Sequence, residues 1–141
     1  MTLAAFLVLV LAWSPWSERP ADVRDGTTAV TRAEMAARHG VDLNLVAVTA
    51  AGGLVELRMQ VTDPDRADEV MHGDQETRPV LVVEETGETL MMAAPPHHRD
   101  ELRLGGQYFF LLANARNALH AGSLVTVVIG DSRLEHVQVQ G

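Results

Sequence analysis

"LVELRMQVT", residues 54–62, alternates without a break: Val55, Leu57, Met59 and Val61 fall on one side, and Glu56, Arg58, Gln60 and Thr62 on the other. A two-residue period is the repeat of a β-strand with one face on a core and one in water, the ordinary condition of an antiparallel sheet. Asp63-Pro64 closes the strand. Upstream, Ala51-Gly52-Gly53 is a turn sequence, and before it Val41, Leu43, Leu45 and Ala47 alternate in the same way. The two stretches predict a hairpin.

Further along, Pro79 opens a second hairpin over residues 80–85 and 88–93, turning at Thr86-Gly87. A third joins residues 124–129 to 133–140 around Gly130-Asp131. Its outgoing strand breaks step between Leu134 and Val137, which requires a β-bulge near Glu135 and His136. Residues 107–113 are apolar on both faces from Tyr108 to Leu112 and predict a central strand covered on both sides. Tyr108 suits either a tyrosine-corner hydrogen bond or the core. Residues 65–78 read as a polar connection with no more than one helical turn over 67–71, and 114–123 as a loop.

One helix precedes the strands. Thr31 and Glu34 form a capping box, Gly40 stands where a left-handed C-cap is wanted, and His39 lies in the last turn, where the helix dipole favours it. Short strands, antiparallel hairpins and no helical crossovers together predict a mainly β fold. The expected class is an antiparallel β-sandwich of the immunoglobulin-like or cupredoxin-like kind, with one N-terminal transmembrane helix and one short helix before the first strand.

The transmembrane expectation comes from "TLAAFLVLVLAW", residues 2–13, which is apolar apart from Thr2. As a helix it spans roughly 18 Å, against a hydrocarbon core of roughly 30 Å. No cation precedes it, and Trp13, Trp16 and two prolines occupy the region where a small-residue cleavage site belongs. The two tryptophans suit an interfacial belt, so the segment reads as an uncleaved anchor. The expected organisation is an anchor over 1–16, a linker over 17–30 and a sandwich over 31–141. The chain is expected to be anchored to a membrane and to face the periplasm or cell exterior.

Composition narrows the function. The formal charge is −8 and the pI about 5.1, with no basic run to track phosphates, so nucleic acid is not an expected partner. All eleven cations are arginine, which removes lysine Schiff-base chemistry. Cysteine is absent, which removes disulfides, thiolate nucleophiles and blue-copper ligation. Glu84-Glu85 and Asp100-Glu101 are neighbours in sequence, and adjacent side chains on a strand point apart. Ser123 and Ser132 lack a nucleophile-elbow context. The chain is therefore not expected to be an enzyme, and no catalytic residue is assigned.

One stretch carries possible metal chemistry. "MMAAPPHH", residues 91–98, places Met91 and Met92 before His97 and His98. Thioether suits Cu(I) and imidazole suits both copper states, so a periplasmic copper carrier or chaperone using these four residues is the alternative function. Against it, adjacent residues on a strand face opposite ways, and Pro95-Pro96 carries the histidines away in an extended segment. His39, His72, His120 and His136 are the other histidines available. The main expectation has no cofactor.

The runs "HGVDLNLVAVTAAGGLVELRMQVTDPDRA", "RPVLVVEETGETL" and "YFFLLANARNALHAGSLVTVVIGDSRLEHVQVQ" resemble a group of small bacterial exported proteins with an apolar N-terminal segment, a β-sandwich and no assigned activity. The shared features, Gly52-Gly53, Asp63, Gly122 and Gly130-Asp131, are turn residues, so the resemblance implies fold and export and no catalytic group. A fainter likeness to exported copper-handling sandwiches does not extend to ligand spacing. The expected role is a non-enzymatic accessory or assembly subunit, with an integral membrane protein complex and the lipid bilayer as partners. A short hydrophobic helix is a poor solitary anchor and gains from packing against others.

Overall fold

The computed structural model describes residues 21–92 and 101–141. Their elements run β1 (Thr28–Ala29), α1 (Arg32–His39), β2 (Val41–Thr49), β3 (Leu54–Val61), α2 (Pro64–His72), β4 (Val80–Val83), β5 (Thr89–Met91), β6 (Gln107–Ala113), β7 (Leu124–Ile129) and β8 (Ser132–Gln138). The fold is mainly β, with two helices and two sheets, ordered β1-β8-β7-β4-β5 and β2-β3-β6. Every strand pair is antiparallel except β1 with β8. The transmembrane helix expected over 1–16 lies outside the described residues, and among these no helix is long and apolar enough to cross a membrane.

The alternation in β3 is realised as read: Val55, Leu57, Met59 and Val61 are buried. They share one core with Leu81 and Val83 of β4, Leu90 of β5 and Val125, Val127 and Ile129 of β7, an arrangement of the sandwich kind. The main chain of Gln140 ties the sheets together at one side. Its N–H donates to the carbonyl of Val46 and its carbonyl accepts from the N–H of Val48, each at 2.8 Å.

Helix α1 ends as its sequence dictates. Thr31 and Glu34 make the reciprocal capping box, and Gly40 adopts the left-handed cap at φ 69°. In β2 the expected alternation changes face midway. A register shift between Leu43 and Leu45 buries Val41, Leu43 and Val46, and leaves Leu45 and Ala47 only partly covered. The side-chain carbonyl of Asn44, the extra residue, accepts from Arg32 of α1 at 3.1 Å.

Three further expectations are corrected. Residues 64–72 form a nine-residue helix, with Asp63 as N-cap, Pro64 in the first turn, and Ala67, Val70 and Met71 buried on one face. Strand β6 lies at an edge, bonded only to β3 among the described residues, and so is not a doubly covered central strand. A short strand also precedes the first helix: β1 pairs with β8, and just before it Val23 packs on Val80, Val82 and Val128 on the far side of the larger sheet. The chain from residue 21 onward is thus held against the sandwich.

Candidate functional site

Three polar groupings and one apolar surface are candidates. The first joins residues 93 positions apart: His39 at the end of α1 meets Ser132 at the start of β8, Nε2 to Oγ at 2.9 Å. The Ser132 hydroxyl donates to Asp131 Oδ1, also at 2.9 Å. Its single proton is thereby committed, so His39 Nε2 must be the donor to Oγ. A nucleophile needs the opposite arrangement, with the imidazole accepting the serine proton and a carboxylate on its other nitrogen. Ser132 is also fully buried. The trio therefore clamps α1 to the β7–β8 turn. Burial pushes the His39 pKa down, opposed by the charge of Asp131. The adjacent cleft, about 300 Å³, carries Arg38 and Arg66 beside Glu69 and Asp131, so the two signs balance.

The second grouping organises the bulge anticipated at Glu135 and His136. Val125 pairs with Val137 but Val127 with Leu134, and His136 takes a left-handed φ of 59°. Glu84, just past β4, accepts from the His136 N–H at 2.7 Å and the Thr126 hydroxyl at 3.0 Å through Oε1, while Oε2 meets the ring Nδ1 at 2.9 Å. Partial burial pushes Glu84 up, but these donors outweigh it and hold its pKa below the usual carboxylate range. The same hydrogen bond, with the carboxylate charge, raises His136. The one hydroxyl on the pair among the described residues, that of Thr126, is buried, and the grouping has the geometry of a bulge latch.

The third is the Met/His stretch. Met91 pairs with Val80 and is 41% exposed on the outer side of the larger sheet, whereas Met92 packs against the main core. The structure does not bring the two thioethers together. His97 and His98 lie outside the described residues. His72 is hydrogen-bonded to Asp68 at 2.7 Å, and among the described residues no three His, Asp or Glu side chains converge as a metal would need.

The apolar surface is built by β6. Phe110 and Leu112 enter the core, and the alternate residues Phe109 and Leu111 are 63% and 45% exposed. They stand opposite Arg58 and Glu56 of β3, so an apolar edge row borders a charged one. Leu104, in the turn before the strand, is 73% exposed. An uncharged edge strand with large exposed side chains has the character of a contact surface. Sequence reading located the strand but misjudged its cover, because a run apolar on both faces has the same pattern whether a partner within the chain or outside it covers the second face.

Buried Asn114 also escaped sequence reading. Its amide donates to the carbonyls of Gly52 and Leu119, and its side-chain oxygen accepts from the Leu119 N–H, at 2.8 to 3.0 Å. Comparison with protein-family models, with curated proteins and with solved structures returns no match.

Proposed function

We propose that this chain is a non-enzymatic accessory or assembly subunit of a larger membrane protein complex, anchored by residues 1–16 and facing the periplasm or cell exterior. The observation that carries the reading is the apolar edge of β6, where Phe109 and Leu111 project outward beside an unpaired strand edge among the described residues. Docking another strand or an apolar face there would satisfy main-chain groups and cover both side chains. The groupings at His39 and at Glu84 support the non-enzymatic part, since their hydrogen bonds join separate segments of the fold.

The finer fold is read as immunoglobulin-like. Strand β3 pairs with β6 in one sheet and β4 with β7 in the other, an interlocked scheme flanked by β2 on one side and by β8 and β5 on the other. The hydroxyl of Tyr108 bonds back to the main chain, accepting from Arg103 N–H at 3.2 Å, as in a tyrosine corner.

The test is gentle detergent extraction from the native host followed by native sizing. Co-migration with a much larger assembly is the expected outcome. A protein that runs as a monomer in its detergent micelle refutes the subunit reading.

A further inference from the structure

Among the described residues, β6 is the long unpaired edge of the sandwich. At the other margins β1 has two residues and β5 three, and β2 is bonded on its outer side to Gln140. Short edges protect themselves, whereas β6 runs for seven residues, QYFFLLA, without a charge or a proline. Its even-numbered main chain faces β3: the Gly106 carbonyl accepts from the Val61 N–H, and the Asn114 N–H donates to the Gly53 carbonyl. Antiparallel bonding alternates, so the N–H and C=O groups of Gln107, Phe109, Leu111 and Ala113 point to the free edge. The same four residues carry the outward side chains. Of the five exposed large apolar side chains among the described residues, Leu104, Phe109 and Leu111 lie on this strand or in the turn before it, so the apolar surface is concentrated along this edge.

Resting on the reading of β6 as a contact surface, we propose that its occupant is the β6 strand of a second copy of this chain, paired antiparallel about a two-fold axis at Phe110. The free groups sit symmetrically about that residue, so full overlap sets Phe109 against the partner's Leu111 and Gln107 against the partner's Ala113. Each facing pair exchanges two main-chain hydrogen bonds, and the two β2-β3-β6 sheets merge into one. On its outer face the phenylalanines and leucines of both copies form a single cluster. Charge favours the same occupant. Two chains of −8 repel, yet the contact strip is neutral, because Arg58 and Glu56 beside it bond to one another at 2.5 Å. Arg58 stands opposite Phe109 and Glu56 opposite Leu111. The two-fold therefore builds a row running Arg58, Phe109, the partner's Leu111, the partner's Glu56, with a cation at one end and an anion at the other. No like charges face each other along it.

The chain has no cysteine, which makes an introduced pair specific. With Gln107→Cys and Ala113→Cys in the full-length protein in detergent, oxidation should yield a disulfide-linked dimer, since the two positions face each other across the joint but lie about 20 Å apart within one strand. Either cysteine alone should give several-fold less. Sedimentation of the purified chain should show a dimer, lost with Phe109→Glu plus Leu111→Glu and regained with Phe109→Glu plus Leu111→Arg, which sets unlike charges face to face in this register. A monomeric wild-type chain, a cysteine pair that crosslinks no better than either cysteine alone, or a dimer indifferent to the double glutamate overturns the pairing. The subunit reading fails separately. A purified monomer that still needs Phe109 and Leu111 to enter its native assembly overturns the pairing and keeps that reading; a dimer that meets both tests with no larger native assembly upholds the pairing and refutes the subunit.

Discussion

Asn114 does more for this fold than its single polar side chain suggests. With 5% exposure it serves three main-chain groups from two loops, and no apolar replacement can serve any of them. Asn114→Ala should cost about 2–3 kcal/mol in urea unfolding, since each group left buried and unpaired costs on the order of 1 kcal/mol or more. Nothing local in "LANARN" marks the residue, because two of its partners belong to Leu119 and the third to Gly52. The histidines show the same dependence on distant neighbours. His39, driven down by burial, should titrate below the free value of about 6.5, and His136, held by Glu84, above it. The stability linked to His39 is present above about pH 6.5 and is lost as pH falls through its lowered pKa. That linked to His136 is present below about pH 6.5 and is lost as pH rises through its raised pKa. A two-dimensional NMR titration of the imidazole resonances checks both directions, and coincident midpoints would contradict the assignment.

At the scale of elements, the joint between α1 and α2 was half legible. The capping box and Gly40 foretold where α1 begins and ends, because caps act within one turn. The N-cap and first-turn proline of α2 were present in Asp63-Pro64, and Ala67, Val70 and Met71 have helical spacing, yet the polar residues around them masked a short buried stripe. What no local pattern disclosed is that the helices touch at Gly40. Its carbonyl accepts from the N–H groups of Thr62 and Asp63, and Arg66 reaches the carbonyl of Ala37. A Cβ on Gly40 would stand 2.4 Å from the Asp63 carbonyl, while Gly87, also at positive φ, has nothing within 4 Å. Gly87→Ala should therefore cost only the left-handed strain, about 1–2 kcal/mol. Gly40→Ala should cost clearly more, because strain and main-chain collision add. Thermal unfolding of the two variants orders them, and equal losses would show that the joint yields.

For the molecule as a whole, the decisive feature is which strand became an edge. Replacing Phe109 and Leu111 together by Glu removes little from the core, since both point away from it, and should shift unfolding by less than about 1 kcal/mol. The same double variant should dissociate the chain from its assembly in native sizing. Intact co-migration of a folded double variant would move the contact elsewhere on the surface. Alternation in β3, the capping box of α1 and the bulge at Glu135 and His136 were determined by sequence alone, because each is settled by interactions among residues a few positions apart. The face change at Asn44, the edge position of β6, the clamp of His39 on Ser132 and the grip of Val23 on the larger sheet were decided only in the tertiary structure. They depend on which distant segments pack together once the loops close, and the same local patterns are compatible with several such packings.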